Sequence, residues 1–142
     1  SFKRMQELNE FLKRKDIPPG ERNELKIERT KLSLLLSENY SKYFSQPIYK
    51  GISASRMDYF NREVQVYDVT RKLGFIHTPT LIICGRYDVQ CPIMYSMELR
   101  DSIPNSKLVI MEESNHYPFL EEAQQFNREY HVFINEKVLL SD

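Results

Sequence analysis

The chain has 142 residues, enough for one domain with a buried core. Lys plus Arg number 20, Asp plus Glu number 20, and 41% of residues are hydrophobic, so no global charge steers the chain to nucleic acid or an anionic membrane. The longest apolar runs, at residues 34–36 and 81–84, fall far short of the ~20 residues that span a bilayer.

In chain order, Phe2, Met5, Leu8 and Leu12 recur at steps of three and four and define a helical stripe. Ile17-Pro18-Pro19-Gly20 breaks it. A second helix is expected over residues 21–44, with Leu25, Leu32, Leu35, Leu36, Tyr40 and Tyr43 on its apolar side. Residues 45–56 hold Pro47, Gly51 and several serines and read as loop, followed by short helices at 56–66 and 67–73.

The pattern changes near residue 75. Thr80 to Cys84 is a compact apolar run ending at Gly85, as in a strand buried on both faces. A helix follows over 92–103 with Pro92 in its first turn. A second strand spans 107–111, and a helix opens at Pro118 or Phe119 with Glu121 and Glu122 in its first turn, where the macrodipole favours acids. Strand, helix, strand, helix implies an α/β chain with a parallel sheet. Two strands make too small a sheet to stand alone, so further strands upstream or on another chain are expected. The opening residues show no basic segment followed by an apolar one, so no secretory leader is expected. Two cysteines, Cys84 and Cys91, form neither a disulfide framework nor a metal pattern, and a reducing cytoplasm is the expected compartment.

In a parallel sheet, chemistry sits beyond the carboxyl ends of the strands. The loop after the first strand carries Asp88 and the loop after the second carries His116. A carboxylate there can accept the imidazole Nδ1–H and fix the ring, leaving the other nitrogen to act as a general base. Taken singly, Asp88 also fits a turn residue and His116 a surface histidine. His77 and His131 read as structural or solvent-facing, Cys91 as a packing residue, and the three histidines lack metal-ligand spacing.

Residues 78–88, Thr-Pro-Thr-Leu-Ile-Ile-Cys-Gly-Arg-Tyr-Asp, with Pro92 four positions on, resemble the penultimate strand and acid loop of α/β-hydrolases. Residues 105–122 similarly resemble their last strand and histidine loop, ending in His116-Tyr117-Pro118-Phe119-Leu120-Glu121-Glu122. Within the superfamily both stretches are most similar to proline iminopeptidases. The resemblance covers about residues 67–134. It implies the C-terminal part of an α/β-hydrolase fold: a βαβα portion at 67–142 preceded by a helical cap or lid at 1–66. It also implies Asp88 and His116 as triad acid and base, no cofactor and no metal.

Three departures from the family pattern bear on function. The nucleophile elbow Gly-x-Ser-x-Gly is absent, and its place in the family lies upstream of Ser1. Gly51-Ile52-Ser53-Ala54-Ser55 lacks the final glycine and a preceding buried strand, so Ser53 is a poor substitute. The oxyanion-hole loop is also absent. Some iminopeptidases carry Glu directly after the triad acid, where this chain has Val89. Asp58, then Glu63, are the expected amine-recognising carboxylates, with solvated helix residues as the plain alternative. The resemblance therefore implies hydrolysis at an N-terminal residue of a small peptide, or of an ester, through an acyl-enzyme. The partner it implies is an N-terminal half of the hydrolase domain that carries the nucleophile, and the isolated chain is expected to hydrolyse nothing. Ester, epoxide or haloalkane chemistry on the same fold is the alternative, as is a catalytically inactive fragment serving as an interaction module.

Overall fold

In the computed structural model, which describes residues 2–45, 54–64 and 66–138, the two expected strands lie side by side. Strand β1, Thr80–Gly85, pairs parallel with β2, Ser106–Met111, in register from Thr80 opposite Ser106 to Gly85 opposite Met111. Parallel pairing needs a crossover. Helix α5, Ile93–Ser102, supplies it and packs against both strands. Pro92 stands at its N-cap, where a missing backbone N–H costs nothing. Ile82, Cys84 and Met111 are buried, with Met111 wholly inaccessible.

Upstream, α1 (Phe2–Lys13) and α2 (Pro19–Leu32) pack against each other. Arg4 near the start of α1 meets Glu28 near the end of α2, while Arg22 near the start of α2 donates to the Leu12 carbonyl, so the two run antiparallel. Met5 and Leu8, from the expected stripe, are buried together with Ile17 and Leu34, while Phe2 at its start is half exposed. Helix α4, Ala54–Glu63, falls close to the short helix expected there.

Three expectations are corrected. The helix expected over 21–44 is not continuous. It stops at Leu32, turns through residues 33–36, makes a 3-10 turn at Ser37–Asn39 and resumes as α3, Tyr40–Phe44. Ser33 Oγ and N–H turn back onto the carbonyls of Arg29 and Thr30, a bonding mode that competes with helix continuation. As a result Leu34 enters the core, and Leu35 and Leu36 stay exposed. The helix expected over 67–73 is a 3-10 segment, Thr70–Phe75, started by Asp68, whose carboxylate accepts from both the N–H and the hydroxyl of Thr70. The last helix is split into α6, Pro118–Glu121, and α7, Ala123–Val138, which packs against both strands. Glu122 leaves helical geometry between them, with φ −124 and ψ 47. Ser53 lies outside the described residues. Among the described residues, no helix is long and apolar enough to cross a membrane.

Candidate active site

The two strands end level, Gly85 opposite Met111, so the loops that follow leave from the same edge of the sheet. Tyr87 N–H donates to the Ser114 carbonyl at 3.0 Å and Arg86 N–H to the Met111 carbonyl at 2.8 Å, lacing the loops together. Arg86 also forms a bidentate pair with Glu112 at 2.7 and 2.6 Å. Gly85 is required by close approach: a Cβ there would stand 1.9 Å from the Asn115 carbonyl oxygen and 2.5 Å from that of Ser114.

The loops bring Asp88 and His116 together. His116 Nδ1 lies 2.9 Å from Asp88 Oδ2, with the carboxylate side chain 7% exposed and the imidazole 31% exposed. Asp88 Oδ1 accepts from the backbone N–H groups of Gln90 and Cys91, both at 2.8 Å. Both carboxylate oxygens are thus held, one by its own turn and one by the ring. Burial alone pushes the Asp88 carboxyl up, but the hydrogen bonds from His116, Cys91 and Gln90 outweigh it and hold the group below the usual carboxylate range. With Nδ1–H donated to the carboxylate, the neutral ring keeps its lone pair on Nε2, the nitrogen available to take a proton.

A carboxyl whose folded pKa is depressed stabilises the fold above its unfolded value, about 3.9, and that contribution is lost as pH falls through the lower folded value. Denaturant unfolding followed from pH ~5 to ~2 is expected to show stability falling more steeply with acid in the natural chain than in Asp88→Asn.

His116 is fixed by its neighbours. Its N–H donates to the Ser33 carbonyl at 3.0 Å, in the turn that interrupts the expected long helix. Ser33 is fully buried, and its hydroxyl accepts from Gln90 Nε2 at 2.8 Å. Gln90 Oε1 accepts from Arg29 at 2.5 Å, and Arg29 donates onward to Asn9 Oδ1 at 2.6 Å, so a polar chain runs from α1 to the acid loop. Glu121 accepts from the N–H groups of Asn115 at 2.8 Å and Leu35 at 2.5 Å. Glu122 accepts from Glu113 N–H at 3.1 Å and Ser114 Oγ at 2.5 Å. These two carboxylates, expected only to complement a helix dipole, clamp the histidine loop. Asn115, Glu121 and Glu122 lie in the stretch that resembles the hydrolase histidine loop, a resemblance that gives them no role, and Ser33 and Gln90 carry no site motif of their own. Closeness in sequence to Asp88 or His116 is the signal that points to Gln90 and Asn115.

A hollow of about 290 Å³ opens on the dyad, lined by Ile83, Gly85, Asp88, Cys91, His116 and Phe119 among others. Tyr117 stacks edge-on against His116, with ring centroids 5.3 Å apart, and against Phe44 at 5.3 Å. Among the described residues, Asp88, Cys91 and His116 bring three potential metal-ligand atoms within 4.8 Å of one another. Two of those groups are already bonded to each other. Burial, then the Asp88 charge, pushes the Cys91 thiol up, which keeps it protonated and opposes ligation. Asp58 and Glu63 stand elsewhere, on α4. Asp58 shares a hollow with Lys13, Lys15 and Arg62, and Glu63 shares one with Tyr59, Phe60 and Tyr67. Neither lines the hollow that holds His116. His77 and His131 are both exposed.

No family model matches the chain. Among curated proteins it is 33% identical over 72 residues to the "Putative carbamate hydrolase RutD" of Pseudomonas syringae, a match covering 51% of this chain and 28% of that one. It is 28% identical over 75 residues to the proline iminopeptidase of Thermoplasma volcanium, covering 53% and 25%. Among solved structures, an alpha/beta fold family hydrolase from Bacillus anthracis superposes with a TM-score of 0.78 at 35% identity, covering 95% of this chain and 48% of that one. The chain thus spans about half of that structure and about a quarter of the curated relatives it matches. A parallel strand pair with acid and histidine loops at one edge, superposable on a solved hydrolase along nearly its whole length, places this chain in the α/β-hydrolase superfamily.

Proposed function

We propose that the chain supplies the acid and base of a serine-hydrolase triad, with Asp88 and His116 in those roles and the nucleophile on an N-terminal half of the domain. The observation that carries this reading is the 2.9 Å contact between His116 Nδ1 and a nearly buried Asp88 carboxylate at the carboxyl ends of adjacent parallel strands. In the complete enzyme, a serine attacks the substrate carbonyl while His116 Nε2 takes its proton. Asp88 holds the ring and stabilises the imidazolium. His116 then protonates the leaving amine, and water enters by the same route to release the acid. Residues 1–66 act as a helical lid that shapes the pocket and excludes water. No cofactor takes part.

The substrate class we favour is a peptide or arylamide with a free N-terminal residue, proline foremost. The similarity to a proline iminopeptidase supports it. The family resemblance, and not the hollow that holds His116, supports Asp58 as the carboxylate that binds the substrate amine, with Glu63 as the second. The cations that share the Asp58 hollow count against this assignment, since they would compete for the same carboxylate. The similarity to RutD favours a second reading, the same acyl transfer on a carbamate.

Steady-state kinetics of the full-length enzyme on prolyl arylamides, carbamates and simple esters decides between them. Prolyl arylamides are expected to give the highest kcat/KM, and Asp58→Asn is expected to raise their KM about tenfold with kcat little changed, as loss of a charge-assisted hydrogen bond does. A higher kcat/KM on carbamates or esters, with no effect of Asp58→Asn, would overturn the aminopeptidase reading and leave the dyad's role standing.

A further inference from the structure

Asn115 precedes His116, and its side chain is buried at 4% exposure, yet the triad chemistry gives it no task. Its amide is fully employed. Oδ1 accepts from Val89 N–H at 3.1 Å, the residue directly after Asp88. Nδ2 donates to the Leu32 carbonyl at 3.1 Å and to the Leu34 carbonyl at 3.3 Å, on either side of the Ser33 carbonyl that holds His116 N–H. One planar group therefore ties the residue after the acid and the residue before the base to the turn at 32–34. Only Asn or Gln offers an acceptor and two donors on one rigid plane, and Gln is one methylene longer. An Asp here would set a carboxylate oxygen against two carbonyl oxygens, and an apolar residue would leave one N–H and two carbonyls without their partner.

We propose that Asn115 is a positioning residue that fixes the separation of Asp88 and His116 by bonding the acid loop, the histidine loop and the 32–34 turn through a single amide. Its catalytic meaning rests on the triad reading above, but the geometric claim stands on the contacts alone.

The test uses the full-length enzyme with ¹⁵N-labelled histidine and reads the His116 Nδ1–H proton by NMR. In the natural chain that proton is expected to be shifted downfield and slow to exchange, and Asp88→Asn is expected to abolish the signal. Asn115→Asp, nearly isosteric, is expected to speed its exchange about tenfold, the factor that follows from losing hydrogen bonds of ordinary strength. Ile103→Val trims a buried side chain at the opposite end of the sheet and is expected to leave the signal in place, which separates positioning from mere loss of stability. If Asn115→Asp fails to fold, Asn115→Ser gives the same readout with a smaller electrostatic insult. A His116 signal in the Asn115 variants with natural position and exchange rate would overturn the proposal. A natural chain without the signal, unchanged by Asp88→Asn, would overturn the dyad itself and this proposal with it.

Discussion

His116→Ala in the full-length enzyme is expected to lower kcat by on the order of 10⁵-fold or more, and Asp88→Asn by on the order of 10⁴-fold, with KM little changed in either case. The two values differ because the proposed triad gives the two residues different work. Without His116 nothing accepts the nucleophile's proton, so the acyl-transfer step loses its base. Without the Asp88 charge a base remains, but the neutral ring loses the partner that selects the Nδ1–H tautomer and steadies the imidazolium. The structure gives that partner unusual leverage. Asp88 Oδ1 is tied to the Gln90 and Cys91 N–H groups, so Oδ2 has no freedom to follow the ring if it swings. Stopped-flow or steady-state kinetics on a chromogenic substrate checks both values. A loss below tenfold for His116→Ala would remove His116 from the chemistry.

Gly85→Ala carries the largest expected effect on the fold. A methyl there would stand 1.9 Å from the Asn115 carbonyl oxygen and 2.5 Å from the Ser114 carbonyl oxygen. Both obstacles are backbone, and both belong to the loop that delivers His116. The loop can yield only by giving up the Tyr87-to-Ser114 bond and the Asn115 anchors that fix it. Overpacking a well-packed core costs about 1–3 kcal/mol when side chains can shift, and here the loss is expected at or above the top of that range. Urea unfolding checks it, and the same variant is expected to lose the His116–Asp88 contact. Since no glycine among the described residues has positive φ, the penalty is one of space and not of backbone conformation.

The parts of the fold that sequence reveals are those decided locally. Thr80–Gly85 is a short apolar run between Pro79 and its own terminal Gly85, Ser106–Met111 follows Pro104-Asn105 and carries the apolar run 108–111, and both are strands. The placement of Asp88 next to His116 follows almost mechanically: parallel strands in register end at one edge, so their loops must meet. The parts that sequence hides are decided by residues far away in the chain. Leu32 to Tyr43 carries an apolar stripe that continues a helix, yet the helix stops at Leu32. The carbonyls at Leu32 and Leu34 are instead taken by Asn115, more than eighty positions on, and the Leu35 N–H by Glu121. A periodicity argument sees only the helical option for those groups. Glu121 and Glu122 show the same blindness from the other side. Their place in a first helical turn is real for Glu121, but Glu122 leaves the helix to hold Glu113 and Ser114. Asp58 and Glu63 fall on a helix as expected, but which hollow they line depends on how α4 sits, which no spacing rule addresses.

Whether Asp88 and His116 activate a serine is read from the rate at which a fluorophosphonate modifies the full-length enzyme, followed by intact-protein mass spectrometry with the adduct located by peptide mapping. A single modified serine is expected, upstream of the first residue of this chain, with the rate reduced at least a hundredfold by His116→Ala and by Asp88→Asn, since general-base assistance is typically worth 10²–10⁴-fold. Modification that proceeds at the natural rate in both variants would show that Asp88 and His116 activate no nucleophile.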